Sequence, residues 1–142
     1  MIVDVVAAVR SYLLGVPEVA GLVGTDVYGA ELPRGLVDAM PRKVLVLRPS
    51  GGVTAGPGVR DYTALMQPRL DVLHYGETPY EALRLERAVR AALGTLDRVV
   101  AAQVLLHAAI PAGGPITFRD GETDWPLVVE AWTVLAATVA AA

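Results

Sequence analysis

The sequence feature that most constrains the fold is a capped helix in the second half of the chain. Thr78 supplies an N-cap hydroxyl, Pro79 takes the first helical position, and Glu81 the third, which is the pattern of a capping box. In such a box the threonine accepts from the amide of Glu81, and the glutamate reaches back to the N-cap amide. One apolar stripe follows at helical spacing: Ala82, Leu85, Val89, Ala92, Leu93 and Leu96. The pattern predicts an amphipathic helix over about 78–94, with Gly94 near its end, whose stripe must pack on another layer.

Runs with strand character lie on both sides of this helix and predict that layer. Three precede it, at Asp26–Leu32, Lys43–Arg48 and Tyr62–Tyr75. Three follow it, at Arg98–Ile110, Ile116–Arg119 and Trp125–Val139. Asp120-Gly121 is a turn signal, so we expect the last two strands to form a hairpin.

Two helices are predicted ahead of all the strands. Ile2, Val6, Val9 and Leu13 recur at helical spacing and predict a helix over about 2–14, which Gly15 ends. A second, short helix begins at Pro17 and ends at Gly24. This order predicts an α+β fold, in which a mostly antiparallel sheet is packed by the N-terminal helix and the long amphipathic helix. No break in composition divides the chain, so we expect a single domain over residues 1–142.

Glycine and proline mark the predicted connections. Pro49–Asp61 holds four glycines and is predicted to be a loop, long enough for a function such as reaching a neighbouring molecule. Pro111–Pro115 is predicted to be a second loop. Pro68 falls inside a strand run, so we expect it at a bulge or at a sheet edge.

The chain is more apolar than a soluble monomer needs. Hydrophobic residues make up 54% and charged residues 19%, and the mean hydropathy is +0.46. Membrane insertion is disfavoured, because Leu127–Ala142 is shorter than the about 20 residues of a span and contains Glu130. The N-terminal segment carries Asp4 and Arg10 and has no basic start, which argues against a signal peptide. We expect a protein made in the cytoplasm, without a membrane partner, that hides apolar surface in an oligomer.

Residues that carry catalysis or bind metals are sparse. There is no cysteine, and the histidines His74 and His107 each sit singly in a predicted strand, where a structural role is commoner than a metal or acid–base pair. Ser11 and Ser50 lack a G-x-S-x-G context, and the glycine-rich loop lacks the Gly-Lys-Ser/Thr ending of a phosphate-binding loop. We therefore expect no enzyme, no cofactor and no metal. The net charge of −3 gives no general attraction to DNA.

The segment DGETDW, residues 120–125, has two interpretations. Asp120, Glu122 and Asp124 alternate, which brings carboxylates together as a cation site does. The further ligands and final glutamate of an EF-hand loop are missing, so a polar turn is the better interpretation.

The face of the long helix opposite its apolar stripe also has two interpretations. Tyr80, Leu83, Arg84 and Arg87 cluster there on the helical wheel. The first interpretation is a solvated face held by Glu81–Arg84 and Glu86–Arg90 pairs. The second is a subunit interface, since tyrosine and arginine are enriched at binding hot spots and leucine has no role on a wet face.

Three segments together resemble the tail terminator, or tail completion, proteins of siphophages and of phage-derived particles. They are YLLGVPEVAGLVGTDVYGAELP at 12–33, YGETPYEALRLERAVRAAL at 75–93 and HAAIPAGGPITFRDGETDWPLVVEAWTV at 107–134. The likeness covers nearly the whole chain and lies in the order and spacing of these structural segments.

This resemblance implies a virion protein at the junction of tail and neck. It implies a ring, commonly a hexamer, that caps the head-proximal end of the tail tube, stops its polymerisation and joins it to the head connector. The partners would be further copies of the chain, the tail tube protein and the connector, with DNA passing through the lumen only transiently. Contacts with partners are then expected at the helix face above and at two connections, namely Gly51, Gly52, Val53 and Arg60 in the first and Arg119, Asp120, Glu122, Asp124 and Trp125 in the second.

Three other functions stay open at this level. A head-closure or adaptor protein of the neck belongs to the same assembly class. A small cytoplasmic ligand-binding α+β domain would need convergent titratable groups in a pocket. An oligomeric regulator unrelated to phage has a compatible composition.

Overall fold

The computed structural model describes residues 4–54 and 66–138. Three α-helices are present: α1 (Val5–Leu14), α2 (Pro17–Val23) and α3 (Pro79–Gly94). Six strands are present: β1 (Val27–Gly29), β2 (Val44–Thr54), β3 (Met66–Tyr75), β4 (Val99–Ala101), β5 (Val104–Arg119) and β6 (Pro126–Thr138). A 3₁₀ helix, Arg34–Ala39, which the sequence patterns did not indicate, lies between β1 and β2.

The strands form one sheet in the order β1-β2-β3-β6-β5-β4. Every neighbouring pair is antiparallel except β1 and β2, which are parallel. The predicted α+β class with a mostly antiparallel sheet is confirmed. The parallel pair arises because the chain crosses over the sheet through residues 30–43 instead of turning back in a hairpin.

One face of the sheet, here called the covered face, carries all three α-helices. Its strand side chains and the apolar stripes of the helices form the main core, with Leu45, Leu47, Leu70, Val72, Leu106 and Trp132 among its most buried members. The whole predicted stripe of α3 is buried: Ala82, Leu85, Val89, Ala92, Leu93 and Leu96. The Tyr12 hydroxyl donates to the Ala92 carbonyl at 2.7 Å, which ties α1 to the end of α3.

The other face, here called the open face, is covered only in part. The segment from Tyr28 to Met40 packs on a second, smaller cluster made by strand residues Val44, Val46, Leu73, Tyr75 and Leu127. This segment covers the β2 and β3 side of the sheet, and the β5 side of the same face receives no such layer among the described residues.

The helix starts follow the sequence closely. Asp4 is the N-cap of α1 and accepts from the Ala7 amide at 2.9 Å, so that helix begins at Val5. Residues 2 and 3 of the predicted helix lie outside the described residues. Thr78 accepts from the Glu81 amide at 3.2 Å, as predicted. The return half of the capping box is wrong, because Glu81 Oε2 instead binds Lys43 Nζ at 3.2 Å. A bond between two charged groups is stronger than one to a neutral amide.

Strand lengths differ from prediction wherever glycine or proline lies inside a strand. The predicted loop at Pro49–Asp61 is wrong over its first part, since β2 runs through to Thr54. The rest of that predicted loop, residues 55–61, lies outside the described residues. The predicted loop Pro111–Pro115 is wrong as well, because it is part of β5. β6 pairs with β5 along nearly its whole length and tolerates the register shifts between Leu106 and Ile116.

Two further strand predictions need correction. The run Arg98–Ile110 is two strands, because Ala102 and Gln103 take positive φ values of 47° and 63° and form a two-residue hairpin turn. Pro68 lies on β3, a central strand, and the bulge is in the facing β2 between Pro49 and Gly52. The ladder with β6 skips Pro68, which fits its missing amide proton.

No single helix in the described ranges is long and apolar enough to cross a membrane, and α1 and α2 reach that length and composition only as a pair bent by 92°.

Candidate interaction surfaces

The outer side of α3 keeps the four residues singled out from the sequence together. Tyr80 is 67% exposed, Arg84 and Arg87 are exposed, and Leu83 is half-buried. We call this set the α3 patch. The Glu81–Arg84 pair of the solvated-face interpretation does not form, since Glu81 binds Lys43. Within residues 4–54 and 66–138, neither arginine of the patch has an ion-pair partner, so the patch presents unpaired positive charge beside an exposed tyrosine.

Gly51 and Gly52 belong to the β2 bulge and not to a free loop. Their φ values are 106° and 116°, a conformation that side-chain-bearing residues rarely adopt. A Cβ on Gly52 would lie 2.6 Å from the Pro68 Cα, so close approach of β3 also demands glycine there. Val53 pairs with Gln67 on β3, and Arg60 lies outside the described residues. Backbone conformation and the close approach of β3 therefore account for glycine at these two positions without any contact with a partner.

The turn from Arg119 to Trp125 is organised by Asp120. Its Oδ1 accepts from the Glu122 amide at 2.9 Å and the Thr123 amide at 3.1 Å, and these bonds lower the pKa of the carboxyl. Arg119 closes the turn by donating to the Asp124 carbonyl at 2.9 Å. No group of three metal-ligating side chains occurs in the described part of the chain. This geometry agrees with the polar-turn interpretation.

Trp125 is placed differently from the rest of that turn. Arg119, Glu122 and Asp124 are exposed, whereas Trp125 is half-buried and packs on the second cluster. Its ring meets that of Tyr75 edge to face, with centroids 6.2 Å apart. The tryptophan thus anchors the turn to the sheet, and as a contact with a partner it is the weakest of the predicted set.

The two predicted contact connections lie at opposite ends of the sheet. Along β3, Tyr75 pairs with Leu127 next to the Asp120 turn, and Met66 pairs with Ala136 at the far end. Thr54, the last residue of β2, pairs with Met66 at that far end. The central strands therefore separate the Arg119–Trp125 turn from Thr54 and Met66 by their full length.

An apolar surface that the sequence patterns missed lies on the open face of β4 and β5. Four large side chains alternate onto it and are exposed: Val100 (60%), Ile110 (49%), Ile116 (60%) and Phe118 (45%). Ile116 and Phe118 border a hollow of about 360 Å³, which we call the open-face groove, lined also by Leu73, Tyr75, Leu127, Val129, Arg48, Asp71 and Asp120. The i, i+2 spacing of Ile116 and Phe118 was the available signal, but the predicted loop just before them hid the longer strand.

A buried polar cluster lies between α3 and the covered face. Arg90 Nε donates to Glu86 Oε1 at 2.7 Å and lies 3.8 Å from Glu130 Oε1, while both carboxyls are almost fully buried. Burial, together with the neighbouring Glu86 carboxyl, raises the pKa of Glu130 to about 7. Glu130 therefore keeps its proton up to near neutral pH. The predicted Glu86–Arg90 pair therefore forms, but its glutamate is buried and not on a solvated face, which the i, i+4 spacing of a surface pair does not reveal.

His74 extends this cluster along β3. It is fully buried, and its Nδ1 donates to the Val128 carbonyl at 2.9 Å. Burial lowers the pKa of His74 to about 4, so the ring is neutral at physiological pH. His107 lies at the β5 bulge between Leu106 and Ala108, far along the strand from Thr117, the residue opposite Val128. The two histidines are not brought together, and of the polar cluster His74, Glu86 and Glu130 are buried beneath α3 while Arg90 reaches the surface.

Comparisons with known proteins add a likeness to a solved structure. No family profile and no curated protein matches the chain. Among solved structures, a chain in the virion of a native gene transfer agent particle is similar, with a TM-score of 0.70 and 21% sequence identity over 93% of each chain. The protein therefore shares its fold, over nearly its whole length, with a protein of a gene transfer agent virion.

Proposed function

We propose that this protein is a non-enzymatic structural component of a phage-like virion. In its specific form, the proposal is a ring that caps the head-proximal end of the tail tube, ends tube polymerisation and joins the tail to the head connector. The observation that carries it is the likeness to a virion chain over 93% of both sequences. Capping of this kind uses only binding energy, so the proposed role needs no catalytic residue.

The distribution of surfaces supports a subunit with several partners. The α3 patch lies on one side of the sheet and the open-face groove on the other, which suits lateral contacts with two neighbours in a ring. The Asp120 turn and the 55–65 connection depart from opposite ends of the sheet. In the proposal these ends face the tail tube and the connector, and DNA passes through the lumen without a specific site.

The test is tube capping in vitro. Tail tube subunits from the same particle are polymerised with and without the purified protein and examined by negative-stain electron microscopy. We expect rings of the protein alone or with tubes, and tubes that are shorter and carry a cap at one end.

Two outcomes would overturn the specific role. Tubes that elongate normally, with no density at either end, would exclude a terminator. Binding to the connector with no binding to tubes would assign the chain to the head-closure or adaptor class. Deletion of residues 55–58, which leaves β2 complete through Thr54, is expected to leave the protein folded and to impair joining, so full joining by that variant would exclude a role for this connection.

A further inference from the structure

The open-face groove has the properties of a docking site. Its floor is apolar, with Leu73, Leu127 and Val129, and the exposed side chains of Ile116 and Phe118 border it. Contiguous exposed apolar surface is one of the marks of a place where another molecule binds. Among the described residues, the Tyr28–Met40 segment covers this face only at β2 and β3. The groove therefore stays open beside β5.

The α3 patch faces away from the sheet on the opposite side of the subunit. The buried stripe of α3, including Leu85 and Val89, packs on the covered face, so Tyr80, Arg84 and Arg87 point outward. A surface on one side and a groove on the other cannot meet within one chain. They can meet between copies that are related by rotation.

The charges of the two surfaces are complementary. The patch carries Arg84 and Arg87, whereas the groove carries Asp71 and Asp120 against the one cation Arg48. Within the described ranges, neither groove carboxylate and neither patch arginine forms an ion pair. Charge of opposite sign on the rims of two apolar surfaces favours their pairing and fixes its orientation.

We propose that the α3 patch of one copy binds the open-face groove of the next copy. Tyr80 enters the groove beside Ile116 and Phe118, and the patch arginines meet the groove carboxylates. The contact is heterologous, since each copy uses a different surface toward each of its two neighbours, and such contacts produce a ring when the rotation closes. This inference rests on the proposed ring and adds the surfaces that build it.

Cysteine cross-linking between two differently tagged chains tests the contact. The chain has no cysteine of its own, so Tyr80→Cys and Ile116→Cys each supply a single reactive site. The two full-length variants are purified, mixed at the highest soluble concentration and treated with a short bis-maleimide. We expect a cross-linked dimer containing both tags in the mixture and no dimer from either variant alone.

The matched control replaces Ile116→Cys with Glu18→Cys, an exposed site at the start of α2. Equal cross-linking of Tyr80→Cys with this control would show random collision and would overturn the proposal. Cross-linking of either variant with itself would indicate a two-fold contact and would overturn it as well. No mixed cross-link would do the same.

The cross-linking experiment and the tube-capping experiment can fail independently of each other. A mixed cross-link in a protein that does not arrest tubes would overturn the capping role and keep the contact. Arrested tubes without the mixed cross-link would keep the capping role and assign the ring contact to other surfaces.

Discussion

Replacing Glu130 with glutamine isolates the contribution of the buried acid pair to stability. Glu130 is 3% exposed and lies against Glu86 and Arg90 of α3, with Trp132 on the same strand. Its pKa is raised from the usual 4.5 to about 7, first by burial and then by the Glu86 carboxyl. Glutamine has the shape of the protonated acid and can donate to Glu86 in the same way, so Glu130→Gln removes the titration and keeps the packing.

The sign of the effect follows from which state binds the proton more tightly. The folded state holds the Glu130 proton up to about pH 7, whereas the unfolded chain releases it near pH 4.5. Stability is therefore full below pH 4.5 and falls as the pH rises through 7. Each tenfold change in proton affinity corresponds to about 1.4 kcal/mol, so the full loss is about 3 kcal/mol.

The pH dependence of the wild-type free energy of unfolding alone conceals the contribution of Glu130. The pKa of His74 is lowered from 6.5 to about 4, so protonation of the unfolded chain lowers stability as the pH falls through this range. As the pH rises, the Glu130 contribution to stability falls while the His74 contribution grows, and both changes occur over nearly the same pH range. The informative quantity is the free energy of unfolding of Glu130→Gln minus that of the wild type, because His74 contributes to both proteins.

The assay is urea unfolding followed by circular dichroism at a series of pH values. We expect this free-energy difference to favour Glu130→Gln increasingly as the pH rises, by roughly 2–3 kcal/mol more at about pH 8 than at about pH 5. Glu122→Gln, at an exposed carboxyl of the Asp120 turn, controls for the loss of a carboxylate as such. A free-energy difference that stays flat, or that shrinks as the pH rises, would refute the raised pKa of Glu130.

Three further predictions test the packing, the backbone and a helix cap. Leu85→Ala empties a fully buried position of the α3 stripe and should lower the free energy of unfolding by about 2–5 kcal/mol, measured by urea titration. Gly52→Ala should cost more than Gly51→Ala in the same titration, since both have positive φ and only Gly52 lies against the β3 backbone; equal losses would contradict the close approach. Thr78→Ala should cost about 1 kcal/mol through loss of the N-cap, and Thr78→Ser should restore it.

The elements that the sequence predicted well are those set by neighbours in the chain. The cap at Thr78 and the stripe through Leu85 depend on residues within two or three turns, so local spacing was sufficient. The Asp120 turn was predictable for the same reason, because its bonds join residues within five positions.

The elements that were missed depend on residues distant in sequence. Pro111–Pro115 looks like a loop, yet β6 provides a partner strand that carries β5 through it. Glu86 looks exposed, yet β6 brings Glu130 beside it under α3. The two candidate surfaces differ in the same respect. The α3 patch depends on local spacing and could be predicted from a helical wheel, whereas the open-face groove depends on which strands the segment 28–40 covers.

The crossover segment between β1 and β2, residues 28–40, also helps to explain the high apolar content of the chain. Had residues 28–40 extended across β5, they would have covered Ile116 and Phe118, and the open face would have been a closed second core. The crossover stops at the β2 and β3 side, and the apolar strand pattern continues past it without a change to polar residues. A chain under no demand for a partner gains stability and solubility from polar residues at such exposed positions. Isoleucine and phenylalanine at these positions agree with the proposed subunit whose two sides are completed by its neighbours. The helix on the opposite side presents tyrosine and two arginines that have no ion-pair partner within the described ranges.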